Sequence, residues 1–165
     1  MNTLIIGLVA GLAMLGTSAS LAHGGDHHAD RPHRYEAPQL PDTSLGRQGE
    51  PTAVTRTIVV EMADDMRFTP EVLVVERGET VRLNVVNKGE LLHELVLGTS
   101  EGLDEHSQAM RKQPGMEHDE PQMVHVQPGE QGEILWQFGE PGEFRFACLL
   151  PGHFDAGMVG RVVVH

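Results

Sequence analysis

Residues 143–165 read EFRFACLLPGHFDAGMVGRVVVH, two short runs rich in Phe and Val on either side of a loop that contains Pro151, Gly152 and Gly157. In an extended chain alternate side chains share a face. Phe144, Phe146 and Cys148 therefore point one way while Arg145 and Ala147 point the other, and Met158, Val162 and Val164 form a second such row. Each row carries a sulfur-bearing residue at the end nearest the loop, and the loop delivers His153 between them. The stretch reads as two β-strands with one chemically loaded end.

The same texture extends toward the N-terminus. RTIVVEMA (56–63), EVLVVE (71–76), TVRLNVVN (80–87), HELVLG (93–98), QMVHVQ (122–127) and EILWQF (133–138) precede EFRFAC and GMVGRVVVH, and ERGET, NKGE, QPGEQGE and GEPGE separate them, each with a glycine placed for a tight turn. About eight short strands with little helical patterning between them predict an all-β sandwich. Trp136, Phe144 and Phe146 are read as core. One connection is longer, residues 100–118, where Ser100 followed by Glu101 to Asp104 resembles a capping box and predicts a short helix. Met62 and Met66, in EMADDMRFTP, are given no metal role.

The first residues differ in kind. Residues 4–16, LIIGLVAGLAMLG, are an unbroken apolar run followed by the small residues of TSASLAH, the plan of a secretory signal peptide over residues 1–22 with cleavage after Ala22. The run falls short of the ~20 apolar residues that a membrane span needs, so no stable membrane insertion is expected after cleavage. Residues 23–53, rich in His, Gly, Pro and charge and without apolar period, read as a flexible arm, which leaves 54–165 as the folded domain. The net charge of −12 argues against nucleic acid or anionic lipid as a partner. Export leads to an oxidising compartment where cysteines pair, yet Cys148 is the only one in the chain. Something other than a disulfide is expected to occupy its thiol.

His93 shares strand parity with Leu95 and Leu97, so it too stands at the head of a core-facing row. A thiolate, two imidazoles and a thioether make a soft, compact donor set, which by ligand softness selects copper. Zinc would accept Cys148, His93 and His153 but gains little from Met158. Two other readings compete. Cys148 is an inert buried thiol beside a loop histidine, or it is a nucleophile paired with His153, for which no orienting Asn or Asp is evident and Met158 has no part.

The pattern C-x4-H-x4-M near the C-terminus, with His93 about 55 residues upstream after NKGELL, resembles the cupredoxins, the small blue copper proteins. The resemblance spans roughly residues 54–165. It implies a Greek-key β-sandwich or barrel and one copper cycling between Cu(II) and Cu(I), with His93, Cys148 and His153 as equatorial ligands and Met158 as the axial one. It also implies single-electron transfer to a redox partner protein through the exposed edge of a ligand histidine, in a periplasmic setting. Many cupredoxins follow the first ligand histidine with Asn or Ser, which hydrogen-bonds between the ligand loops; this chain has Glu94. Related copper enzymes place histidines beside the cysteine, whereas Ala147 and Leu149 flank Cys148, so a non-enzyme is expected.

HELVLGT and MEHDEP resemble cupredoxins linked to copper tolerance. His23, His27, His28 and His33 on the arm, and His106, Met110, Met116, His118, Met123 and His125 in and after the long connection, could collect extra copper ions. The alternative to a carrier is thus a copper-sequestering or copper-chaperone protein that uses these segments without a redox-chain role. The plain reading of Met110 and Met123 is packing.

Overall fold

The computed structural model describes residues 44–112 and 120–165. The predicted signal segment, the four arm histidines, Met116 and His118 lie outside the described residues. Ten strands build two five-stranded sheets. They are β1 (Gly46–Gln48), β2 (Arg56–Ala63), β3 (Arg67–Thr69), β4 (Val72–Val75), β5 (Thr80–Asn87), β6 (His93–Gly98), β7 (Met123–Val126), β8 (Gln131–Phe138), β9 (Gly142–Ala147) and β10 (Val159–Val164), with helix α1 (Ser100–Lys112) between β6 and β7. One sheet runs β1-β8-β5-β2-β3 and the other β4-β10-β9-β6-β7. The pairings β2 with β5 and β4 with β10 are parallel, the rest antiparallel.

All eight predicted strands are present. The two added ones, β1 and β3, are three residues long, too short to show a period, and take their extended form from β8 and β2. Strand β1 also corrects the boundary of the arm. Gly46 to Gln48 pair with Trp136 to Phe138, the Trp136 indole Nε1 donates to the Leu45 carbonyl at 3.2 Å, and Gly49 N donates to Leu135 O at 2.9 Å. Backbone hydrogen bonding, which side-chain pattern does not reveal, thus brings at least residues 44–49 into the fold.

Between the sheets lies one cluster that includes Val60, Phe68, Leu83, Val85, Leu95, Ile134, Phe146 and Val162, none more than 1 % exposed. Burying each such side chain contributes about 1.5–3 kcal/mol. The predicted rows hold: Phe144, Phe146 and Cys148 face this core with Leu95, Leu97, Met158, Val162 and Val164. Phe146 meets Phe68 edge to face at 4.9 Å between centroids and lies across Gly160, its partner on β10, where a Cβ would come within 2.1 Å of the ring.

Helix α1 covers the other face of β6, β7 and β9. Leu103 packs there with Val96, Met123, Ala147 and Leu149, which is why β6 is buried on both faces. The helix cap is Thr99, one residue before the predicted Ser100: its hydroxyl accepts from Gly102 N at 3.1 Å. Among the described residues, no helix is long and apolar enough to cross a membrane.

Candidate metal centre

At one end of the sandwich, β6 starts, β9 stops and β10 begins, and the loop from Leu149 to Gly157 closes over them. The structure brings His93, Cys148 and His153 together, with one donor atom of each within 4.8 Å of the others. Among the described residues this is the one group of His, Cys, Asp and Glu with such spacing. Met158, also fully buried, belongs to the same core cluster as Cys148. Its carbonyl accepts from Cys148 N and its own N–H donates to His153 O, each at 3.1 Å, so the backbone staples both ends of the loop.

His93, fully buried, is held from behind. Its Nε2 lies 3.0 Å from Asp64 Oδ1, in the turn between β2 and β3. Asp64 also accepts from Glu90 N at 2.8 Å and Leu91 N at 3.3 Å, and these bonds, led by Glu90 and then His93, keep its carboxyl below the usual range. An ionised Asp64 can only accept, so Nε2 carries the proton and Nδ1 is left with a lone pair. Nδ1 is buried and has no hydrogen-bond partner. A buried polar atom left unpaired is uncommon, and a ligand position for a metal explains it.

Burial pushes the Cys148 thiol up to about 12, with the nearby Glu94 charge adding to the rise and the N–H groups of Glu94 and Leu150 opposing it. Its sulfur accepts from Glu94 N at 3.5 Å and lies 3.3 Å from His153 Nδ1. Desolvation first, and the proximity of His93 second, lower the His153 pKa. The thiol and a neutral His153 thus share a hydrogen between Sγ and Nδ1, which a metal taking both donors displaces. The two imidazole rings stand 4.9 Å apart, tilted by 54°. The set is soft, buried and convergent, and it fits copper.

Glu94, the departure noted in the sequence, points under the helix rather than into the core. Its Oε1 accepts from Leu149 N at 2.7 Å and its Oε2 lies 2.8 Å from His125 Nε2. The carboxylate thus ties the first ligand strand to the ligand loop. Two arginines pin that loop from outside. Arg67 Nη1 donates to Ala156 O and Gly157 O, both at 3.3 Å, and Arg111 at the end of α1 donates to Asp155 at 2.9 Å.

Sequence reasoning missed Asp64 entirely. Its partner is 29 residues away in sequence, and only Gly89 hints at it: a Cβ there would sit 2.0 Å from Asp64 Oδ1, so the NKGE glycine makes room for the carboxylate. Among the described residues of the Met/His connection, none joins the group of His93, Cys148 and His153. Met110 and Met123 are buried, the latter in the packing under α1, and His125 is bound to Glu94. Met62 is a core residue.

Residues 54–165 match the model of a family described as copper binding proteins, plastocyanin/azurin family. The chain is 48 % identical over 155 residues to the copper-resistant cuproprotein CopI of Rubrivivax gelatinosus, covering 92 % of this chain and 91 % of that one. Identity to the protein of the same name from Vibrio cholerae is 31 %, covering 94 % and 95 %. In fold it resembles auracyanin from Roseiflexus castenholzii (TM-score 0.59, 20 % identity, 68 % of this chain and 98 % of that one). It also resembles an azurin from Methylomonas sp. strain J (TM-score 0.56, 16 % identity, 68 % and 99 %).

Proposed function

The chain belongs to the plastocyanin/azurin family of copper-binding proteins, and from that premise we propose that it is an exported, periplasmic carrier of single electrons, working in copper tolerance, that holds one copper on His93, Cys148, His153 and Met158. The observation that carries this reading is the buried convergence of His93, Cys148 and His153 with His93 Nδ1 unpaired and Nε2 occupied. When bound, copper supplies a one-electron couple that the donor set favours in neither state alone.

The chain's own residues do the rest. Asp64 orients His93, Glu94 N–H steadies the Cys148 sulfur, and the stapled loop fixes His153 and Met158 before any metal arrives, so that little has to rearrange when the charge changes. His93 and Cys148 are sealed from solvent while His153 is partly exposed. A redox partner protein therefore meets the site at the His153 edge. The relatives named as copper-resistance cuproproteins support copper tolerance as the setting, and the apolar leader with its small-residue stretch supports export. The acidic surface speaks against nucleic acid. Ala147 and Leu149, flanking Cys148, are buried in packing under α1 and offer no second metal a ligand, which supports a carrier rather than an enzyme.

The test is the visible spectrum of residues 23–165 after addition of Cu(II), beside Cys148→Ser. The proposal expects an intense thiolate-to-copper band that bleaches on reduction and is missing from the variant. Copper bound without that band overturns it in favour of sequestration on His23, His27, His28 and His33. That second reading rests on the density of imidazoles in the arm. It fails if the copper stoichiometry of a chain lacking residues 23–33 is unchanged.

A further inference from the structure

We propose that Asp64 is a positioning residue that locks His93 in the tautomer presenting Nδ1 to the donor set and biases the bound copper toward the cupric state. The inference rests on the copper site proposed above and concerns a residue outside the ligand set.

Four observations converge on Asp64. Its Oδ1 is 3.0 Å from His93 Nε2, and His93 is its only side-chain hydrogen-bond partner in the described structure. Its other contacts are backbone amides, Glu90 N on Oδ2 and Leu91 N on Oδ1, which hold the carboxylate toward the ring. The absence of a side chain at Gly89 makes the approach possible. The loop that supplies those amides is built independently of Asp64, by a fully satisfied Asn87. Asn87 Nδ2 donates to Leu91 O at 2.7 Å and Val126 O at 2.9 Å, and Asn87 Oδ1 accepts from Gly89 N at 2.9 Å.

A hydrogen bond to a carboxylate is stronger than one to a neutral acceptor, so His93 is held as the Nε2–H tautomer and its Nδ1 lone pair is made more basic. A more basic donor with a negative charge behind it favours the doubly charged ion over the singly charged one. Loss of such a contact typically costs 10–100-fold in metal affinity, and in this arrangement the loss falls on Cu(II) more than on Cu(I).

The experiment compares the full chain with Asp64→Asn, Asp64→Ala and Glu90→Gln, the last removing an exposed carboxylate nearby. Cu(II) and Cu(I) affinities, the reduction potential, metal-free melting temperature and the His93 tautomer by 15N NMR of the metal-free protein are read in each. The expected result for Asp64→Asn is about tenfold weaker Cu(II) binding with Cu(I) binding unchanged, an upward shift of about 59 mV for the one-electron couple. Asp64→Ala should shift further and populate both His93 tautomers, while Glu90→Gln should leave both unmoved. Equal shifts in Asp64→Asn and Glu90→Gln would reduce the role to general charge and overturn the proposal. So would a lower melting temperature in Asp64→Ala with potential and tautomer unchanged, or both tautomers in the unaltered chain. The tautomer is read without copper, so a chain that gave no thiolate-to-copper band would sink the site assignment while leaving the Asp64–His93 contact testable.

Discussion

Burial pushes the Cys148 thiol from its ordinary 9.0 up to about 12 in the folded, metal-free protein. Between those values the unfolded chain has released a proton that the folded chain still holds. Stability linked to the thiol is therefore complete below pH 9 and is lost as pH climbs toward 12. Metal-free protein should lose about 2 kcal/mol of unfolding free energy between pH 8 and 10.5 relative to Cys148→Ser, measured by urea denaturation of both. Glu94 gives a second residue-scale prediction. Glu94→Ala leaves the buried Leu149 N–H without its acceptor and should cost about 1–3 kcal/mol in the metal-free protein; Glu94→Gln, which keeps an acceptor, should cost less by the same assay. Of the four proposed donors, His93, Cys148 and Met158 were legible in the sequence because each stands at the end of a row whose parity can be counted, and His153 because the loop between two of those rows carries it. Asp64 was not, since nothing local to EMADDMRF marks a partner 29 residues further on, at the start of β6.

At the scale of elements, period-2 patterning identified the eight strands with a buried face of their own, and failed for β1 and β3, which hold too few residues to show a period. Their extended form is imposed by a neighbour. Helix α1 was legible from its acidic first turn, but its start was misjudged by one residue because Thr99 and Ser100 are both competent caps and only the Thr99 hydroxyl reaches Gly102 N. Packing between β9 and β10 was not legible either. Gly160 looks like an interruption of a valine-rich strand, yet Phe146 occupies the volume a side chain would need. Gly160→Ala should therefore destabilise by about 1–3 kcal/mol or more. A double-mutant cycle with Phe146→Leu should recover part of that loss, because the two sites are in direct contact. Additive losses in urea unfolding would refute the packing argument.

For the whole molecule, the site lies where both sheets and α1 meet, so metal binding is coupled to global stability. With free copper at 1,000 times its dissociation constant, binding contributes about 4 kcal/mol, a rise in melting midpoint on the order of 10 °C for a chain of this size. Calorimetry should show that rise in the full chain and in one beginning at residue 44, since none of the four proposed donors lies in the arm, and less than half of it in Cys148→Ser.

The two arginine pins on the ligand loop carry a kinetic meaning. His93 and Cys148 are fully buried whereas His153, on the loop, is partly exposed, so an ion leaving past His153 needs residues 149–157 to lift. The Arg111–Asp155 latch is an ion pair with both side chains about half exposed, at 45 % and 61 %, worth little energy and weakened by salt. Ionic strength should thus quicken copper release while leaving the colour of the site unchanged: the donors set how the metal is held, and the surface sets how long.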